Sequence, residues 1–195
     1  MISLLEEVKP LLKKAKSQAE KLVDLLYEYA VKDYPIIILE PSCLSAIQDD
    51  YQGILGYRHE KLQRVIKACT SFDAFIDGKL PKIPVLNKEM VQFHGHCHQK
   101  ALMGTEAAHR VLKSLGCTVA EIPSGCCGMA GSFGYEKEHY DFSMKIGELQ
   151  LFPAIRSGRE VRWIVANGVS CRTQIHDGTG RQALHLAEVV AKLLS

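Results

Sequence analysis

Four short apolar runs, "IIIL" (36–39), "MVQF" (90–93), "CTVAEI" (117–122) and "VRWIVA" (161–166), are separated by stretches of helical periodicity. Strand patterns alternating with helical ones predict an α/β layer, here a mostly parallel sheet of about four strands flanked by helices. The runs suit strands covered on both faces. Apolar residues recur at helical spacing in 3–31, 60–76, 99–115, 136–149 and 183–194. Pro10 marks a kink or a fresh start within the first of these. In 60–76 the apolar face comprises Leu62, Val65, Ile66, Cys69, Phe72 and Phe75. Gly116 stops 99–115, and "GKLPKIPVLNK" (78–88) reads as a connection.

The 195 residues suit one domain. A chain of this length buries roughly 70% of its unfolded surface and needs no disulfide staples. With no low-complexity segment to mark a boundary, it reads as a single domain, 1–195. A leading helix (1–33) precedes an α/β core (34–195). Twenty-four basic residues against 22 acidic ones give no footing for nucleic acid or an anionic membrane. No run approaches 18 apolar residues, so no membrane span is expected. The N-terminus, acidic early and carrying Pro10, is unlike a secretory signal. The expected compartment is the cytoplasm, with any membrane association peripheral and through a partner. Seven cysteines there point to metal binding or redox chemistry rather than a disulfide framework.

The cysteines follow the strands. Cys43 lies four residues past Leu39, Cys97 four past Phe93, Cys126 four past Ile122 and Cys171 five past Ala166. The carboxyl ends of parallel strands share one edge of a sheet, where ligands bind. Cys43, Cys97, Cys126, Cys127 and Cys171 are therefore expected to converge. Cys69, on a helical core face, and Cys117, at a strand start, read as packing residues. A weak internal echo sets "PIIILEPSCLSAIQD" over "WIVANGVSCRTQIHD", with five identities in 15 positions. It suggests two pseudo-repeated half-units, each a strand, a turn, Ser-Cys and a helix.

Cys126 and Cys127 are adjacent in the glycine-rich "EIPSGCCGMAGSFGYEKEH" (121–139). Neighbouring thiols in an irregular loop can face different sides of one object. A multi-iron cluster needs several thiolates on different irons, whereas one zinc needs four ligands. Glycines such as Gly128 let backbone N–H groups approach sulfur closely, and helix N-termini favour thiolate. Five sulfurs at a sheet edge suit iron–sulfur chemistry better than zinc, although neither standard ferredoxin spacing is present.

"EPSC" (40–43), "HGHCHQKAL" (94–102), "SGCCGMAGSFGYEKEH" (124–139) and "NGVSC" (167–171) resemble the CCG, or cysteine-rich, domain. That domain occurs in the heterodisulfide reductase B subunit and in iron–sulfur subunits of glycolate and lactate oxidases. The greatest resemblance is to the C-terminal iron–sulfur part of bacterial FAD-linked oxidases described as D-lactate-dehydrogenase-like. The resemblance implies cluster ligation by Cys97, Cys126, Cys127 and Cys171, with Cys43 as the late cysteine of a preceding half-unit. It implies a cluster of the 4Fe-4S type, cubane or non-cubane, with zinc in its place where iron is lost. It implies partners too: an FAD-binding oxidase domain or subunit and an electron acceptor. FAD belongs upstream or on that partner, and the chain reads as the C-terminal piece of a larger oxidoreductase. The family's fullest form ends in CxxC, but residues 171–174 are "CRTQ", so Gln174 stands where a fifth cysteine could be.

The leading expectation is an iron–sulfur electron-transfer module of a flavin-linked 2-hydroxy-acid oxidoreductase, with no catalytic residue of its own. The alternatives are a cluster-based reductase of disulfide or quinone-like substrates and a zinc-bound structural domain. His94, His96 and His98 surround Cys97. His96 and Gly128 are candidate cofactor contacts, while His94 reads as strand-end packing and His98 as the cap of the next helix. Tyr135, Glu136 and His139 read as residues of a helix start, and Met129 and Phe133 as an apolar wall of the loop.

Overall fold

The computed structural model describes residues 2–80, 89–158 and 160–195. Most of the expected connection at 78–88 lies outside the described residues. Contacts group the chain into two compact units, Met1–Ser71 and Phe72–Ser195.

The first unit comprises α1 (Ile2–Ala30), β1 (Ile36–Ile38), α2 (Pro41–Ser45), a π-helical turn (Ala46–Asp50), α3 (Tyr51–Leu55), α4 (Glu60–Ala68) and β2 (Cys69–Ser71). The first helix continues through Pro10 rather than restarting there. It buries Ala19, Val23 and Ala30 and packs on α4, whose Leu62 and Val65 are fully buried. Lys61 Nζ bonds Asp24 at 2.6 Å, and Arg64 Nε donates to the Ala30 carbonyl at 3.0 Å, joining the two helices at their edges. The expected continuous helix 60–76 is broken. Cys69, Thr70 and Ser71 pair in parallel with Ile36, Ile37 and Ile38. Pairing with a β-branched strand outweighs the local 3.6-residue pattern there.

The second unit comprises α5 (Phe72–Ile76), β3 (Met90–His94), α6 (Cys97–Leu102), α7 (Glu106–Ser114), β4 (Thr118–Glu121), a 3₁₀ turn (Phe133–Tyr135), α8 (Tyr140–Leu149), α9 (Leu151–Ser157), β5 (Trp163–Ala166), α10 (Val169–Thr179), β6 (Ala183–Leu184) and α11 (Leu186–Leu194). Its sheet is parallel throughout, in the order β4-β3-β5-β6. Val91 lies opposite Val119 on one side and Trp163 on the other. Four parallel strands flanked by helices match the expected class, with one exchange of members. The 36–39 run pairs with β2 in the first unit, and the fourth strand is β6, at the head of what reads as the last helix. A capping box explains the shift. His185 Nδ1 accepts from the Ala187 N–H, and Glu188 accepts from the His185 N–H at 2.7 Å, so the helix can begin only at Leu186. The expected helix 99–115 divides at Gly104, whose φ is +78°, and that at 136–149 begins at Tyr140.

The sheet has a core on each face. Val91, Phe93, Val111, Leu112, Val165, Leu186 and Val189 form one. Leu151, Phe152, Ile155, Ile164 and Ile175 form the other. Along β5, Ile164, Val165 and Ala166 alternate between them, as side chains on a strand must. The order also fixes where a ligand can sit. Chain connections leave β3 and β5 toward opposite edges, so a crevice opens between their carboxyl ends. Among the described residues no helix is long and apolar enough to cross a membrane.

Candidate metal centre

Three strand ends deliver four thiols to that crevice. After β3, Gly95 and His96 lead into Cys97, the first residue of α6. After β4 the chain runs through Ser124 and Gly125 to Cys126 and Cys127. After β5, Asn167 and Gly168 lead to Cys171, the third residue of α10. Both helices direct their N-terminal ends toward these sulfurs, a potential that favours thiolate.

The four sulfurs form one chain of contacts. Cys97 is in hydrogen-bond contact with Cys126, Cys126 with Cys127, and Cys127 with Cys171. Donors and acceptors alternate along it. The Cys97 thiol is pushed far up by its bond to Cys126 and then by burial. Cys127 is raised by its bonds to Cys126 and Cys171 and by burial. Cys126 is held far below the usual thiol range by hydrogen bonds from Cys127 and Cys97, with help from the Gly128 and Ala130 N–H groups. Cys171 is likewise held low, chiefly by Cys127, with His94 acting in the same sense against burial. Two thiols pulled down thus alternate with two pushed up in one pocket.

The backbone is shaped to this end. The Gly128 N–H donates to Cys126 Sγ at 3.3 Å, and Gly128 adopts φ +103°. Lys100 Nζ donates to the carbonyls of Ser124 and, at 2.9 Å, Gly125, which ties the loop to α6. Arg172 Nη1 donates to the carbonyls of Ala166 (2.9 Å) and Asn167 (2.7 Å), closing the turn before Cys171. Gln174, the position of the missing fifth cysteine, is buried and gives its amide to Ser143 O (3.1 Å) and Oγ (2.9 Å). It braces α10 against α8.

The histidines divide differently from expectation. His96, not His98, caps α6: its Nδ1 accepts from the His98 N–H at 3.2 Å and lies 3.9 Å from Cys97 Sγ. His94 meets the sulfurs as well. One of its ring nitrogens and the Sγ atoms of Cys127 and Cys171 all lie within 4.8 Å of one another, and all three residues are buried. The signal for it stands in "HGHCH", but alternation along the strand does not say which histidine faces the crevice. His139 bonds Glu136 at 2.7 Å and stacks on Phe133 with ring centroids 4.2 Å apart. Met129 is buried in the core beneath the loop.

Three cysteines remain. Cys43 belongs to the first unit. It is exposed, and its thiol is raised by partial desolvation and by Glu40. Like Cys171 it is the third residue of a helix that follows a parallel strand, so the internal echo recurs as local geometry. Cys69 and Cys117 are buried, and burial pushes each thiol up to about 11. At pH 7 only about one in ten thousand of each is thiolate. Both will resist iodoacetamide in the folded protein at neutral pH, and their labelling will quicken as pH rises toward 11. Mass spectrometry after a short pulse reads this directly, and rapid labelling at pH 7 would refute it.

Thiols at the carboxyl edge of a parallel sheet, with a buried histidine among them, define a cysteine-rich α/β domain in which His94, Cys127 and Cys171 could hold a metal ion. Residues 91–176 match the family model for the cysteine-rich domain, CCG. Among curated proteins the chain is 29% identical over 187 residues to a subunit of the anaerobic glycerol-3-phosphate dehydrogenase of Escherichia coli K12, covering 93% of this chain and 46% of that protein. It is 25% identical over 193 residues to "D-2-hydroxyglutarate dehydrogenase" of the same strain, covering 97% of this chain and 18% of that protein. The Pseudomonas putida protein of that name is 27% identical over 158 residues, 80% of this chain and 15% of that protein. The chain thus spans less than half the length of these relatives. No solved structure matches it.

Proposed function

We propose that the chain is the iron–sulfur electron-transfer module of a flavin-linked dehydrogenase of small hydroxy acids. The observation that carries this reading is the unbroken contact of four thiols from three strand ends. A single zinc would leave adjacent Cys126 and Cys127 crowded on one ion, whereas a cluster offers separate irons to each. The likeness to proteins named D-2-hydroxyglutarate dehydrogenase supports the substrate class. The flavin and the hydroxy-acid site belong to a further domain or a partner protein, and an electron acceptor completes the path.

A cluster of the 4Fe-4S type supplies one-electron transfer when bound. Cys97, Cys126, Cys127 and Cys171 would hold it. The chain's own residues shape the pocket. The Gly128 N–H stabilises negative charge on Cys126, burial excludes water, and Lys100 and Arg172 keep the loops in register. Charge-stabilising donors of this kind raise a reduction potential.

The decisive experiment is iron, sulfide and zinc analysis, with visible absorption, on anaerobically purified protein. Several irons and matching sulfide per chain, with a brown chromophore, are expected. Stoichiometric zinc with no uptake of iron would replace this reading with a structural zinc domain, for which His94, Cys127 and Cys171 already form a three-ligand set.

A further inference from the structure

We infer that His94 is a ligand of the metal centre, binding through Nε2, with Ser124 fixing the ring from behind. This rests on the site being a metal centre, as proposed above, but not on the metal being iron.

Three observations meet here. First, His94 ends β3 with 1% of its surface exposed, and its Nε2 is buried with no oxygen or nitrogen partner among the described residues, so that the Cys171 thiol is what it meets. Second, the groups around that ring edge are sulfurs, those of Cys127 and Cys171. Third, Nδ1 lies 2.8 Å from Ser124 Oγ. A metal-bound histidine characteristically gives its other N–H to an oxygen, which sets the tautomer and the ring orientation. Donation from Nδ1 to Ser124 leaves a lone pair on Nε2, facing the thiols.

The scaffold around the pair serves the same purpose. The Ser124 carbonyl is held by Lys100, so one side chain steadies the serine behind His94 and the loop that carries Cys126. The position that would supply another sulfur is committed elsewhere, since the Gln174 amide is bound to Ser143. Nitrogen from His94 is a non-sulfur ligand this pocket offers. A neutral imidazole in place of an anionic thiolate also raises the potential of an iron–sulfur centre.

The test uses whole protein loaded with iron and sulfide under argon, reduced, and studied by pulsed EPR with and without ¹⁵N-histidine. A nitrogen coupling of the strength of a direct bond is expected. It should change on isotope labelling, persist in His176→Gln and disappear in His94→Ala. Only weak couplings in the wild type, or an unchanged coupling in His94→Ala, overturn the assignment. Should His94→Ala fail to fold, X-ray absorption on zinc-loaded wild-type protein decides. A nitrogen scatterer at about 2.0–2.1 Å beside sulfur at about 2.3 Å supports it, and an all-sulfur shell refutes it. Failure to take up iron would sink the electron-transfer reading alone, and the zinc arm would still decide the role of His94.

Discussion

Cys127→Ser protein, purified under argon and reconstituted with iron and sulfide, will hold no more iron than a buffer blank and show no visible chromophore. Cys127 is the middle of the thiol chain, touching Cys126 on one side and Cys171 on the other. It is 4% exposed, so no solvent ligand can take its place cheaply. A serine oxygen is shorter, harder and not ionised at neutral pH, so the change splits the site into two halves. Cys69→Ser removes an equally buried sulfur from a strand start in the first unit and should leave iron content unchanged. Full iron loading of Cys127→Ser would exclude this thiol from the centre.

Gly128→Ala will cost about 3 kcal/mol or more, from a disallowed backbone and an overpacked contact together. Its φ of +103° suits glycine, and an added Cβ would stand 2.2 Å from the Ser143 carbonyl oxygen, a backbone atom that cannot swing aside. For a chain of this length the loss corresponds to a fall in Tm of roughly 6–12 °C. The damage should also be chemical, because relief of the clash moves the N–H away from Cys126 Sγ. Gly125→Ala, three residues earlier, is the matched control: its Cβ would meet nothing within 4 Å. Calorimetry and iron content on the two variants separate the effects, and equal behaviour would refute the steric account.

The class of fold was legible because apolar runs and helical periodicity report on burial, which the sheet satisfies residue by residue along β3 and β5. The convergence of Cys97, Cys126, Cys127 and Cys171 was legible for a topological reason, since every parallel strand ends at the same edge. That reasoning does not reach Cys43, because a run of three isoleucines says that a strand forms but not which strand it pairs with. Cys69 shows the reverse limit. "CTS" sits in phase with the helix before it, and only pairing to Ile36–Ile38 makes it extended. His94 and His96 differ by two positions, so they share a face of any ideal strand. What separates them is that β3 stops at His94 and His96 has already turned to cap α6.

The ties that hold the four thiols run through protein alone. Lys100 grips the loop carbonyls, Arg172 closes the turn beyond β5, and Gln174 clamps α10 to α8 through Ser143. With these ties in place a chelator should empty the centre and a later supply refill it, with the helices intact throughout. In that it contrasts with small zinc modules, whose folding and loading are a single event.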